Sequence, residues 1–229
     1  GGSSESYFWL NNTGSLLNQT ICGLFTGIPN YIMVPIAAKM VKKWGARATS
    51  IIAGLFGFFA YMTLFFVGFH PFGQTFKDHY IFNLIWVIFG LTICGLPNKI
   101  LNVSGQIVTA EALDYMEWKH GLRNEALVTT VQGYFGKLAI SVTGWLSGMV
   151  LTWINYVPLT DSLGNAVPQT DPTMLNGIWA VFCILPALAR GLYGVSFIIY
   201  PIHGDLQQQM IVELAEKRAQ RLAEQEAKD

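Results

Sequence analysis

Long apolar runs are the feature that most constrains the fold of this chain. A helix that crosses the bilayer core, which is about 30 Å thick, needs roughly 20 mostly apolar residues. Five segments of the sequence meet that requirement, and the most apolar of them contains the run IIAGLFGFFAYMTLFFVGF. The segments are residues 14–40, 48–69, 80–112, 126–156 and 174–200. The sequence therefore predicts an all-α membrane protein with five transmembrane helices.

The composition agrees with a membrane protein and excludes several other classes. Charged residues make up only 12% of the chain and hydrophobic residues 52%, whereas soluble domains are about 25% charged. Because 14 Lys+Arg are balanced by 14 Asp+Glu, no basic excess is available to bind nucleic acid. The three cysteines lie far apart inside apolar runs, which predicts neither disulfides nor a metal site. No catalytic residues can be assembled, so we predict no enzyme.

The distribution of basic residues predicts the orientation of the chain. Lys and Arg accumulate in short connections on the cytoplasmic side of a membrane. The two connections that follow the second and fourth spans contain a single basic residue, Lys77. The other two connections and the tail contain ten: Lys39, Lys42, Lys43, Arg47, Lys119, Arg123, Lys217, Arg218, Arg221 and Lys228. We therefore expect a multi-pass region over residues 1–203, an external N-terminus, and a cytoplasmic helical tail over 204–229.

The connection between the third and fourth spans carries a distinctive motif, TAEALDYMEWKHGLRNEALVTTVQGYFGKLAISVTGWLSG, at residues 109–148. It resembles the cytoplasmic loop and eleventh helix of the glycoside–pentoside–hexuronide cation symporters, the melibiose-permease branch of the major facilitator superfamily. The matching residues are Asp114, Tyr115, Glu117, Lys119, Arg123, Glu125 and Lys137. GIPNYIMVPIAAKMVKKWGAR and YPIHGDLQQQMIVEL look like the family's eighth helix with its basic loop and the end of its twelfth helix.

This resemblance implies that the five spans correspond to helices 8–12 of the superfamily fold. Because the sequence starts at Gly1 without an initiator Met, we expect either that preceding residues are removed or that the sequence starts inside a longer protein. The implied function is sugar:cation symport by alternating access in the plasma (bacterial inner) membrane, with a missing N-terminal half. That half would hold the coupling Na⁺ or H⁺, and no other cofactor is expected.

Two polar groups of residues are the predicted substrate site. Lys137 lies near the middle of the fourth span, where a charge is costly unless it faces water or a partner. In the family the matching lysine lies beside the sugar, and Gln132 matches a position that contacts the sugar. Lys99 and Asn102 lie one turn apart on the third span, so we expect both to line the same cavity. The alternatives are a Lys137 that snorkels to the interface and a polar seam between helices at Lys99 and Asn102.

Charged residues at the motif form the predicted cytoplasmic gate, which consists of Asp114, Glu117, Arg123 and Glu125. Such charges can also be a solvated surface run, in which exposed pairs contribute at most about 1 kcal/mol. Arg190 lies in mid-span, so its guanidinium must face protein, water or a partner subunit. We therefore consider Arg190 a possible partner contact.

A second function is open at the level of sequence. The chain can be a truncated transporter relic that serves as an accessory or structural subunit of a larger membrane complex. The expected partners are then the lipid bilayer and another membrane subunit, rather than a sugar-like solute and an N-terminal half.

Overall fold

The computed structural model describes residues 2–69, 76–160, 162 and 166–226, most of which are helical. The elements are α1 (Gly2–Asn11), α2 (Leu17–Gly68), a 3₁₀ turn (Phe76–His79), α3 (Tyr80–His120), α4 (Glu125–Trp153), the antiparallel strands β1 (Leu159–Thr160) and β2 (Ala166–Val167), α5 (Pro172–Ser196) and α6 (Gly204–Glu226). Among the described residues, four helices, α2 to α5, are long and apolar enough to cross a membrane. The prediction of an all-α membrane protein is confirmed at this level.

Helix α2 unites the first and second predicted spans in 52 residues. Gly45 interrupts it with φ 79° and ψ 161°, a backbone conformation that glycine adopts at little cost and other residues do not. We call residues 17–44 and 46–68 the first and second segments of α2. The sequence predicted a connection between the first and second spans at the same place, between residues 40 and 48.

The first segment of α2 runs parallel to α3. Near the beginning of both helices, Asn18 donates a hydrogen bond to the hydroxyl of Tyr80 (2.9 Å). Farther along both helices, the ammonium of Lys99 lies 5.0 Å from the ring centroid of Tyr31. Contacts between the two helices therefore advance in the same direction along the chain.

The second segment of α2 runs antiparallel to α3. At its beginning, Ser50 donates a hydrogen bond to Ser104 (2.9 Å), and near its end Leu64 packs against Gly90. The chain therefore reverses direction at Gly45, which makes the two segments of α2 an antiparallel pair. Five helical segments of membrane-spanning length result, although five crossings of a bilayer stay a prediction.

Glycines bring the second segment of α2 close to α5. A Cβ added to Gly54 would lie 2.5 Å from the Cα of Gly194, and one added to Gly57 would lie 3.3 Å from the Cβ of Arg190. Small residues at such contacts allow two helix backbones to approach, and helices in lipid depend on this packing. The two glycine positions therefore determine how α2 and α5 meet.

Hydrogen bonds fix both ends of this helix pair. At one end, the indole of Trp179 donates to the carbonyl of Phe65 (3.1 Å). At the other end, Arg47 donates to the carbonyls of Phe197 (3.1 Å) and Ile198 (2.6 Å). Because these carbonyls follow the last turn of α5, Arg47 also supplies the positive charge that a helix C-terminus favours.

Helix α1 closes one end of the bundle formed by α2, α3 and α5. Its Phe8 and Trp9 are fully buried, and Phe8 stacks on Phe182 with ring centroids 4.3 Å apart. The apolar pattern did not predict this helix, because ten residues are too few for a membrane span. Adjacent aromatic residues just before the first apolar run were the available signal.

Helix α4 contacts the bundle mainly near its two ends. Ser147 is its only buried residue, and just after the helix Ile154 packs against Gly177 of α5. The middle of α4 exposes large apolar side chains around its circumference. Lipid or another polypeptide must therefore surround this helix.

The end of α3 lies beyond the predicted span. The helix continues from residue 112 to His120, and Gly121 ends it with φ 72° and an N–H···O bond to Glu117. Asn124 then caps α4 by accepting a hydrogen bond from the backbone of Leu127 (2.9 Å). Asp114 and Glu117 were expected in a loop, but they lie on the last two turns of α3. The connection between α3 and α4 consists only of residues 121–124.

The tail contains α6 over Gly204–Glu226, and residues 227–229 lie outside the described part of the chain. Met210 and Leu214, one turn apart, are 1% and 3% exposed. Helix α6 contacts the C-terminal part of α3. It is therefore a docked helix with one apolar face rather than a freely solvated extension.

Replacing Gly54 with alanine should destabilise the protein, because the added Cβ meets the backbone of Gly194 at 2.5 Å. We expect Gly54→Ala to cost about 1–3 kcal/mol, as overpacking does elsewhere. Gly23→Ala is the matched control, since no atom lies within 4 Å of its added Cβ. Thermal unfolding in detergent should show a lower Tm for Gly54→Ala only, and equal Tm values would contradict the close packing.

Candidate functional site

A cavity of about 610 Å³ lies between α1, the second segment of α2, α3 and α5. Its volume falls in the range of small-molecule sites, about 300–1,000 Å³. Six polar side chains line it together with apolar residues: Glu5, Tyr61, Asn98, Asn102, Arg190 and Tyr193. A mixed polar and apolar lining within an apolar helix bundle is suited to a polar solute.

Arg190 reaches this cavity because glycine occupies the facing position on α2. The Cβ and Cγ of Arg190 lie in the space that a side chain at Gly57 would need. The guanidinium then extends toward α3, where its Nη1 donates a hydrogen bond to Oδ1 of Asn98 (2.6 Å). Sequence reasoning allowed a partner subunit for Arg190, and the structure supplies a partner inside the chain.

A proline lies in α5 at the same level. Pro186 has no backbone N–H, so the carbonyl of Phe182 lacks its usual helical donor. Both residues line the cavity. The freed carbonyl is an additional acceptor at this level of the helix.

The predicted substrate residues do not converge on one point in this structure. Asn102 lines the cavity with Arg190. Lys99 instead lies against the ring of Tyr31, in a cation–π contact on the side of α3 that meets the first segment of α2. Lys99 and Asn102 are three positions apart on α3 but therefore have different neighbours, because different helices pack on the two sides of α3.

The two α4 residues lie outside the cavity. Gln132 donates a hydrogen bond from Nε2 to Oγ1 of Thr109 (2.7 Å), which joins α4 to α3. Lys137 lies in the exposed middle of α4, and none of the described side chains forms an ion pair with it. Its position leaves the ammonium available to a solute or to another polypeptide.

The predicted gate residues do come together, with Glu117 at the centre. Its side chain is only 7% exposed, and it contacts the guanidinium groups of Arg123 (3.9 Å), Arg221 (3.4 Å) and Arg218. Asp114 pairs with Arg123 (3.3 Å) and Arg218 (2.9 Å). A buried charge requires such pairing. These residues therefore form a partly buried ion-pair network rather than a run of solvated surface charges.

Glu125, the fourth predicted gate residue, has a different environment. Its carboxylate pairs with Arg123 at 3.0 Å, but its side chain is 66% exposed. Exposed pairs contribute at most about 1 kcal/mol. Glu125 is therefore at the edge of the network, where its loss should matter least.

Sequence reasoning missed Arg218 and Arg221 as members of this network. The hydrogen bond that Arg218 donates to Glu117 raises the pKa of the Arg218 guanidinium, and the one that it donates to Asp114 adds a smaller effect. The available signal was spacing, since Met210, Leu214 and Arg218 follow each other at four-residue intervals and therefore share one face of α6. A basic residue in line with two apolar residues indicates a docked helix.

Further hydrogen bonds extend the contact between α6 and α3. Glu111 accepts hydrogen bonds from Tyr200 (2.8 Å) and Gln207 (2.7 Å). One to two turns farther along α3, the indole of Trp118 donates to Glu213 (2.7 Å). The tail is thus attached along the whole C-terminal end of α3.

Comparison with known proteins gives a consistent family. Residues 3–204 match the family model described as MFS/sugar transport protein. The chain is 29% identical over 214 residues to an uncharacterised symporter, YjmB, of Bacillus subtilis, which covers 92% of this chain and 42% of YjmB. It is 28% identical over 120 residues to an isoprimeverose transporter of Lactiplantibacillus pentosus, covering 52% of this chain and 23% of that protein.

The chain spans less than half the length of these two relatives. No solved structure matches it.

Replacing Arg218 with glutamine should loosen α6, because two carboxylates on α3 lose a shared partner. We expect faster amide hydrogen exchange over residues 204–226, with a cost of about 1 kcal/mol since Arg218 is partly exposed. Glu216→Gln is the control, because Glu216 is an exposed residue of the same helix. Unchanged exchange in Arg218→Gln would contradict the role of this pair in docking.

Proposed function

The chain belongs to the sugar transport proteins of the major facilitator superfamily, and we propose that it forms the C-terminal part of a sugar:cation symporter. The family resemblance deduced from the sequence is confirmed by this match. The chain is accordingly a multi-pass membrane protein of a transporter family, not an enzyme. Symport, the plasma membrane location and the remainder of the transporter are parts of the proposal.

The observation that carries the proposal is the polar cavity within the helix bundle. Charged and amide side chains inside a membrane region are expensive and are retained where they contact a solute, water or each other. Here Glu5, Asn98, Asn102 and Arg190 line a space of about 610 Å³. These side chains offer hydrogen-bond donors and acceptors to a sugar-sized solute with several hydroxyl groups.

We assign Asn102 on α3, and Gln132 and Lys137 on α4, as substrate-binding residues. Asn102 is already in the cavity, and Gln132 contacts the same helix through Thr109. The exposed middle of α4 supports a further polypeptide that packs beside Lys137. In the proposal this is the N-terminal half, which completes the solute site and holds the coupling Na⁺ or H⁺.

The network of Asp114, Glu117, Arg123 and Glu125 would be the gate on the cytoplasmic side, where the C-terminus also lies. In the proposal the two segments of α2, α3, α4 and α5 each cross the bilayer once, which would put this network and α6 on the cytoplasmic face. A cluster of ion pairs between helix ends has two arrangements, paired and separated, which suits alternating access. Burial of Glu117 supports this role. If the arginines moved away, the buried carboxylate would need another partner, so opening must be coupled to a new contact.

The alternative of an accessory subunit without transport activity is less well supported. The two relatives described above are named as a symporter and a transporter.

Sugar counterflow should test the assigned site. In vesicles that contain the complete transporter, Lys137→Ala should reduce uptake of labelled sugar about tenfold or more, since a hydrogen bond to a charged group contributes about 1.5–3 kcal/mol. Lys42→Ala is the control, because Lys42 is exposed and lies outside the cavity. Equal uptake by Lys137→Ala and the parent would remove Lys137 from the site.

Neutralising the gate should affect the transport rate rather than sugar affinity. We expect Glu117→Gln to lower the counterflow rate while the Kd for sugar is unchanged, because three arginines lose their shared carboxylate. Glu125→Gln removes an equal charge at an exposed position and should change the rate little. If both variants behaved alike, the buried carboxylate would not be the centre of the gate.

A further inference from the structure

Two lysines lie at the end of an exposed apolar row on the first segment of α2. Ile32 and Ile36 are 59% and 45% exposed, and Lys39 and Lys43 are exposed about one and two turns farther along. Their spacing of i, i+4, i+7 and i+11 puts all four on one face of the helix. The first segment therefore presents an apolar strip that leads directly to two positive charges.

The lysines lie where the helix leaves the hydrocarbon core. A span of roughly 20 residues that starts at Leu17 ends near Ile36, which puts Lys39 and Lys43 at the level of the lipid headgroups. Trp44, the next residue in the chain, is 47% exposed, and tryptophan is enriched at that level. The apolar strip and the two charges thus match the two layers of a lipid leaflet.

Neither lysine is neutralised within the described part of the chain. Residues 6–77 contain no Asp or Glu, and the ion pairs of the described residues are all formed by arginines. Arg47 is occupied by the carbonyls that follow α5. The ammonium of Lys43 lies 5.7 Å from the ring centroid of Trp44, a contact that leaves its charge in place. The lysine pair is therefore available to an anion from outside the chain.

The composition of the row favours lipid over a second polypeptide as its occupant. Helices that pack against each other in a membrane usually meet at small residues, and the row has isoleucines at the membrane level and no small residue. Helix α4 differs, because no atom lies within 4 Å of a Cβ added to Gly133 or Gly144. The exposed face of α4 therefore suits another helix, whereas the row on α2 suits acyl chains.

We propose that this face of α2 binds an anionic phospholipid, with its phosphate at Lys39 and Lys43 and an acyl chain along Ile32 and Ile36. Lysine binds phosphate as a point charge. A zwitterionic lipid also carries phosphate, but its own cation is repelled by the two lysines. The site lies on the membrane side of the protein, and its occupant does not depend on which solute is transported.

Native mass spectrometry of the complete transporter in a neutral detergent tests this site. The probes are phosphatidylglycerol and phosphatidylcholine with identical acyl chains. Because a lysine near the membrane surface contributes about fivefold to the binding of an anionic lipid, the parent should bind phosphatidylglycerol about 10- to 30-fold more tightly. Lys39→Gln and Lys43→Gln should each lower that affinity about fivefold and leave the affinity for phosphatidylcholine unchanged.

Variants at neighbouring positions distinguish a bound lipid from a general attraction to the membrane surface. Lys42 is also exposed, but it lies to one side of the row. Lys42→Gln should therefore lower the affinity for phosphatidylglycerol less than twofold, although it removes an equal charge. Lys43→Arg keeps the charge and should keep the preference for the anionic lipid.

Three results would overturn the proposal. Equal affinity of the parent for both lipids would show that the row is unselective or covered by polypeptide. Equal losses in Lys42→Gln and Lys43→Gln would show a diffuse attraction instead of a site. Displacement of phosphatidylglycerol by glycerol 3-phosphate at the same concentration would identify a site for soluble phosphate rather than for a lipid.

Discussion

The close approach of α2 and α5 at Gly54 and Gly194 is the contact on which the rest of the bundle depends. In lipid, apolar side chains gain little by leaving one apolar surface for another, so helices associate through tight van der Waals contact and hydrogen bonds. The added Cβ of Gly54 would be 2.5 Å from the Gly194 backbone, which leaves no room for any other residue. Arg190, one turn before Gly194, is thereby brought over Gly57 and within reach of α3.

Helix α3 contributes residues to both the cavity and the charge network. The charged side chains at the two places are stabilised differently. In the cavity, Arg190 forms one hydrogen bond among the described residues, to Asn98. In the network, Glu117 meets three arginines and is almost fully enclosed. An enclosed cluster of ion pairs suits a structural or gating role, whereas a cation with few partners suits binding.

The docking of α6 combines an apolar contact with directional charges. Burial of Met210 and Leu214 contributes about 1.5–3 kcal/mol for each side chain, which exceeds the contribution of exposed ion pairs. The apolar residues therefore hold α6 against α3, and Arg218 sets its register by pairing with Asp114 and Glu117. This explains how a helix of largely polar composition becomes part of the bundle.

The sequence by itself determined the membrane class, the long apolar segments, the family and the clustering of the charges between Asp114 and Glu125. These follow from length, local composition and a motif, which do not depend on how the helices meet. Only the tertiary structure decided that α1 closes the bundle, that Arg218 joins Glu117, and that Asn102 and Arg190 share a cavity while Lys99 lies against Tyr31. Those outcomes depend on which helix faces meet, and that is decided by the backbone reversal at Gly45 and by close glycine contacts between residues more than a hundred positions apart.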